Sequence, residues 1–188
     1  MNADQPAPQL PDDNAGPLKR LLAGGRHNRL LILGNPPGGL PIGETRHLER
    51  TIWLLRPGQT GLVGAGQYLA VGDPARLPFV ESLFDRVVAT SVLPADTVRT
   101  ELRELWRIMS PAALAVLVVK ARRPWHVARL GWLAADLAPL LDAAMFEIHA
   151  QRIETIPDRH HILLVGKRDG LRTVPIGTVQ AAGLPATA

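Results

Sequence analysis

Apolar residues along this chain fall into short runs separated by glycine- and proline-rich turns. Arg29 to Gly34 (RLLILG) is the first, and its length and the turn residues behind it predict a buried strand. Thr51 to Leu55 (TIWLL) predicts a second, ended by Arg56-Pro57-Gly58, and a third lies near Leu69 to Gly72. Asp85 to Thr90 (DRVVAT) reads as the next. Leu114 to Val119 (LAVLVV) is the most hydrophobic, as a central parallel strand should be. Phe146 to Ile153 alternates like a strand, and His161 to Lys167 follows after Pro157-Asp158, close enough to pair antiparallel.

Between these runs the period changes to that of a helix. Val98, Leu102, Leu105, Trp106 and Met109 share one helical face, with Arg99, Arg103, Glu104 and Arg107 largely on the other. Asp96 is the expected cap, and Ser110-Pro111 the expected stop. Val127 to about Ala144 repeats its apolar residues at Val127, Leu130, Leu133, Ala134, Leu137 and Leu141, and Pro139 should kink or split that helix. Trp125 and Trp132 would suit a membrane-surface helix, but the polar face is too weakly basic, which favours packing on a sheet. Two shorter segments, Pro17 to Gly25 and Glu44 to Arg50, are expected to form brief helical turns. Alternating strands and helices closed by a hairpin predict an α/β fold: a Rossmann-like, doubly wound, mostly parallel sheet with an antiparallel hairpin strand near its end.

Composition narrows the chemistry. The 188 residues fit one domain, expected over 18–168, with a disordered tail at 1–17 and a loose one at 169–188. There is no cysteine, which excludes disulfides and thiolate metal sites. The net charge of +4 comes from scattered arginines, the densest group being Lys120-Ala121-Arg122-Arg123, so a nucleic-acid face is not expected. No apolar run is long enough to span a membrane and the start lacks a signal-peptide pattern, so the expected location is cytoplasmic. Val63-Gly64-Ala65-Gly66 is not read as a dinucleotide fingerprint, because no helix fits behind it. His160-His161 lack a second ligand pair, so no metal is expected; His160 is a candidate for a pocket rim. His126 and His149 read as surface or packing residues, and Asp85 as a local cap or pairing acid.

Gly72-Asp73-Pro74-Ala75-Arg76-Leu77-Pro78-Phe79, then Phe84-Asp85-Arg86-Val87-Val88, then Leu102 to Pro111 (LRELWRIMSP) resemble class I S-adenosylmethionine-dependent methyltransferases of the small-molecule branch, over about Arg29 to Lys167. The resemblance implies a seven-stranded sheet whose last strand is antiparallel. It also implies S-adenosylmethionine as cofactor. Gly34, Asn35, Pro36 and Gly38 would form the first cofactor loop, under the methionine part. Arg56 would face the ribose. Asp73, Pro74 and Ala75 would lie beside the adenine, with Asp73 accepting from its amine, and Thr90 and Ser91 would line the pocket. No catalytic residue is implied, because methyl transfer rests mostly on alignment.

Three positions depart from the family pattern. Pro36 stands where glycine is usual and removes an N–H. Arg56 stands where an acid usually accepts from both ribose hydroxyls, and a guanidinium accepts nothing. Pro111-Ala112-Ala113 replaces the usual Pro-Gly-Gly. The expected function is therefore methyl transfer to a small-molecule nucleophile. Its alternative is a catalytically inactive protein of the same fold acting as a partner or regulatory subunit. For Asp73 the plainer alternative is a loop-closing acid.

Overall fold

The computed structural model describes residues 17–22, 25–35, 45–61, 66–90, 96–122, 131–156 and 158–169. In chain order these form α1 (Pro17–Leu22), β1 (Arg29–Leu33), β2 (Arg50–Leu55), β3 (Gln67–Val71), β4 (Phe84–Thr90), α2 (Val98–Ile108), β5 (Met109–Lys120), α3 (Ala134–Ala143), β6 (Phe146–Ile156) and β7 (Asp158–Lys167). They build one seven-stranded sheet in the order β3-β2-β1-β4-β5-β7-β6. Strands β1 to β5 pair in parallel, and β7 lies antiparallel between β5 and β6. The chain winds outward from β1 through β2 to β3, then crosses to β4 on the other side. That reversal leaves a crevice at the carboxyl ends of β1 and β4, where open α/β sheets receive ligands.

The continuous apolar runs become strands buried on both faces. Leu31, Leu33, Val87, Ala89, Ala115 and Leu117 face Leu102 and Leu105 of α2 and Leu137 and Leu141 of α3. The alternate residues Leu30, Ile32, Val88, Val116 and Val118 face Leu21 and Leu22 of α1. Period-two alternation thus divides each strand between two helical layers.

Several local expectations are corrected. Of the helix expected over Glu44 to Arg50, Glu44 lies outside the described residues and Thr45 is helical; from there Leu48 N–H donates to Thr45 O and Glu49 N–H to Asn28 O in a turn, and β2 starts at Arg50. The cap of α2 is Thr97 rather than Asp96, and its hydroxyl donates to Glu101 Oε1 at 3.1 Å. Met109 is already extended (φ −75°, ψ 133°), so the helix passes straight into β5, which is longer than Leu114 to Val119. This abrupt change is tolerated because Ser82 and Leu83 N–H donate to the last carbonyls of α2, Arg107 O and Ile108 O. The helix expected from Val127 begins, within the described residues, only at Ala134. Gly131 (φ +101°) and Trp132 are instead tied to the end of β5, with Trp132 N–H donating to Lys120 O at 2.9 Å. The helix then runs through Pro139 without splitting. Asp85, expected to cap or pair locally, instead joins distant segments: it accepts from Arg29 N–H at 3.0 Å and from Ser110 Oγ at 2.7 Å, fastening β1 and β5 to β4.

Candidate functional site

The carboxyl ends of β1 to β4 carry the seven described sequence candidates, Gly34, Asn35, Arg56, Asp73, Pro74, Ala75 and Thr90. Gly34 follows β1 with φ +73°, and its N–H donates to Leu54 O at 3.0 Å. A Cβ there would stand 2.7 Å from Thr90 O, so β1 and β4 approach at this point only because residue 34 is glycine. Thr90 is buried, and its hydroxyl donates to Leu33 O at 2.9 Å. Thr90 therefore fastens the two strands at the reversal. Asn35 is exposed, and its amide spans to Thr60 O in the loop behind β2 at 3.4 Å. Pro36, Gly38 and Ser91 lie outside the described residues.

Behind β2, Arg56 O accepts from Gln59 N–H at 3.0 Å across Pro57-Gly58, with Gly58 at φ +85°, the positive value that the third position of a type II turn requires. The Arg56 side chain reaches to α2 and donates through Nη2 to Glu101 Oε1 at 2.7 Å. Glu101 is 1% exposed, while the Arg56 side chain keeps 30% of its surface. Thr97 donates to the same carboxylate oxygen. Sequence reasoning passed over Glu101. The available signal was its place between Val98 and Leu105 on the apolar stripe of α2, where a carboxylate needs a partner to be buried.

Asp73 follows β3 and is exposed. Its Oδ1 accepts from Ala75 N–H at 2.9 Å, and its carbonyl accepts from Arg76 N–H at 2.9 Å. This is an Asx turn, so one carboxylate oxygen closes the loop and Oδ2 is left for another donor. Pro74 is buried and Ala75 half-buried behind it. The same loop is clamped from α2. Glu104 Oε2 accepts from Leu77 N–H at 2.9 Å; Arg107 donates to Phe79 O at 2.8 Å and to Leu77 O at 3.0 Å, and also to Glu104. The Arg107 hydrogen bond, first among several causes, holds the Glu104 carboxyl below its ordinary pKa. The first and third of the three sequence blocks that carried the resemblance, Gly72 to Phe79 and Leu102 to Pro111, are thus two halves of one clamp.

On the far side of the reversal, β7 sets His161 opposite Val119 and His160 opposite Lys120. His160 is half-buried and His161 only 3% exposed. A carbonyl can only accept, so His161 Nε2, 3.2 Å from Trp132 O, carries the proton, and Nδ1 is buried without a partner. Burial is the leading cause that pushes the His161 pKa down. Among the described residues no three potential ligands gather as a metal site.

A separate open cleft of about 830 Å³ lies between α2 and α3, lined by Leu102, Trp106, Trp132, Leu140 and Met145 among others. Lys167 stands over the Trp106 ring at 4.1 Å. This cleft belongs to the helical layer and shares none of the groups at the strand ends, so the strand ends are the candidate site.

No protein-family model and no curated protein sequence matches the chain. Solved structures do. The N-methyltransferase NodS of Bradyrhizobium japonicum, in complex with S-adenosylhomocysteine, is 16% identical, with a TM-score of 0.59 over 80% of this chain and 83% of that one. The chain has the class I methyltransferase fold. A putative methyltransferase of Haloferax volcanii, solved with its activator Trm112, gives 17% identity and a TM-score of 0.61 over 80% and 87%. The [4+2]-cyclase SpnF gives 16% identity and 0.59 over 80% and 79%. A cyclase among these neighbours shows that the methyltransferase fold alone does not fix the reaction.

Proposed function

We propose that this protein is an S-adenosylmethionine-dependent methyltransferase acting on a small nucleophile. The observation that carries this reading is Asp73, held at the exit of β3 by its own turn and by the Glu104–Arg107 clamp, with Oδ2 left to accept from an adenine amine. Gly34 supports it, since only glycine lets β1 and β4 close the crevice at the methionine end. The ribose end departs from the common pattern but still fits: a hydroxyl accepts as well as donates, so Arg56 offers N–H groups to the ribose oxygens. S-adenosylmethionine, when bound, supplies a methyl group on a positively charged sulfur. The chain's part is to hold the nucleotide at Asp73 and Arg56 and to align an acceptor, from which proximity supplies much of the rate.

A second reading is a fold-sharing partner or regulatory subunit without activity. Arg56 favours it, because it brings donors where a carboxylate would accept and is already engaged by Glu101. Calorimetric titration with S-adenosylhomocysteine separates the two. Asp73→Asn keeps an oxygen for Ala75 N–H but turns an N–H₂ toward the adenine. Micromolar binding by the wild type, weakened about tenfold or more by Asp73→Asn (about 1.4 kcal/mol) at unchanged melting temperature, supports the enzyme. No heat at millimolar ligand sinks it and leaves the second reading.

A further inference from the structure

The two edges of the sheet are built differently. Strand β6 carries Glu147 and Arg152 and a register shift between Ile148 and Ala150. Charges and irregular pairing both discourage the addition of another strand. Strand β3 has neither. From Gly66 to Gly72 (GQYLAVG) there is no charge and no proline, and its ladder with β2 is unbroken. Tyr68, Leu69 and Val71 are 57%, 47% and 61% exposed, half of the six large apolar side chains exposed among the described residues. Gly72 N–H points inward to Leu55 O. Alternation along the strand therefore turns the N–H and C=O groups of Leu69 and Val71 outward. An apolar, uncharged edge with outward backbone groups is a template for another strand.

We propose that β3 pairs antiparallel with β3 of a second copy, about a two-fold axis at Leu69, joining two sheets into one. The register follows from the outward groups. Leu69 forms a hydrogen-bonded pair with its own copy, Tyr68 lies opposite Ala70, and Gln67 lies opposite Val71. Tyr68 then meets the small Ala70, Val71 meets the flexible Gln67 and Leu69 meets its own copy; the strand itself carries no charge, and Arg50 of β2 lies over the Tyr68 ring at 5.5 Å. A two-fold axis lets one patch satisfy itself, so no second surface is needed.

The lack of cysteine makes the test clean. In the proposed register the two residues 69 have Cα atoms about 5.5 Å apart, inside the roughly 4.4–6.8 Å that a disulfide spans. The two residues 71 are offset by four positions, about 13 Å along the strand. Under mild oxidation Leu69→Cys should therefore convert fully to a covalent dimer, and Val71→Cys should not. Light scattering of the full chain should give a dimer mass for the wild type. Leu69→Lys should give a monomer mass with an unchanged circular dichroism spectrum, and Ile153→Lys on β6 a dimer mass. A monomeric wild type, a dimer that survives Leu69→Lys, or equal cross-linking at 69 and 71 overturns the proposal. The mass and the nucleotide titration are independent, so either reading can fail alone.

Discussion

At the scale of single residues, Gly34 shows how strain and packing separate. Both Gly34 and Gly58 have positive φ, at 73° and 85°. A Cβ at Gly58 meets nothing within 4 Å, whereas at Gly34 it meets the Thr90 carbonyl at 2.7 Å. Gly58→Ala should therefore carry backbone strain alone, about 1 kcal/mol. Gly34→Ala adds a clash with backbone that cannot swing away, for roughly 2–3 kcal/mol. Thermal unfolding should show Gly34→Ala melting several degrees below Gly58→Ala; equal melting points would mean that β1 and β4 can part at no cost. Arg56 makes a different point. Its type could be read from the sequence as a departure, but its partner could not. Glu101 lies 45 positions away, and its burial arises only when α2 packs across the end of β2.

At the scale of elements, α2 does two jobs. Its apolar side covers the sheet through Leu102, Leu105 and Ile108, and its rim grips the loop behind β3 through Glu104 and Arg107. The pH dependence of that grip has a definite sign. The folded-state pKa of Glu104 lies below its ordinary 4.5. The carboxylate's contribution to stability is thus complete above that value and is lost as pH falls through the lower, folded one. Glu104→Gln cannot ionise. Its stability deficit against the wild type, measured by urea unfolding, should be roughly constant near neutrality and shrink on acidification below pH 4.5. A deficit that does not change with pH would mean the clamp is not ionic. The period-3.6 pattern located α2 and its apolar side well. It could not show that Glu104 and Arg107, read as a solvated face, turn toward Leu77 and Phe79. Within the described residues α3 starts only at Ala134 for a related reason: the apolar spacing continues through Leu133, but Trp132 N–H donates to Lys120 O and Trp132 O accepts from Arg122 N–H at the end of β5.

At the scale of the whole molecule, the candidate site exists only where strand ends converge. A ligand touching the ends of β1, β2 and β3 at once binds the folded chain and not the unfolded one. S-adenosylhomocysteine at a hundred times its dissociation constant should therefore add about 2.7 kcal/mol of stability. That should appear as a rise of several degrees in melting temperature, and Asp73→Asn should blunt it at the same ligand concentration. A melting point indifferent to the nucleotide would count against the cofactor reading.

The sequence alone determined the sheet. Continuous apolar runs at Leu30 to Leu33, Val87 to Ala89 and Ala115 to Val119 can be satisfied only by strands covered on both faces, and the late hairpin follows from two strand patterns too close for a crossover. It also supplied most of the candidate residues, because glycine, proline and acids at strand exits have local meaning. The tertiary structure decided what those residues face. That the loop holding Asp73 is gripped by Glu104 and Arg107, that Arg56 is held by a buried Glu101, and that β3 lies at the edge of the sheet all depend on contacts between segments distant in sequence, and periodicity, which is local, carries no record of them.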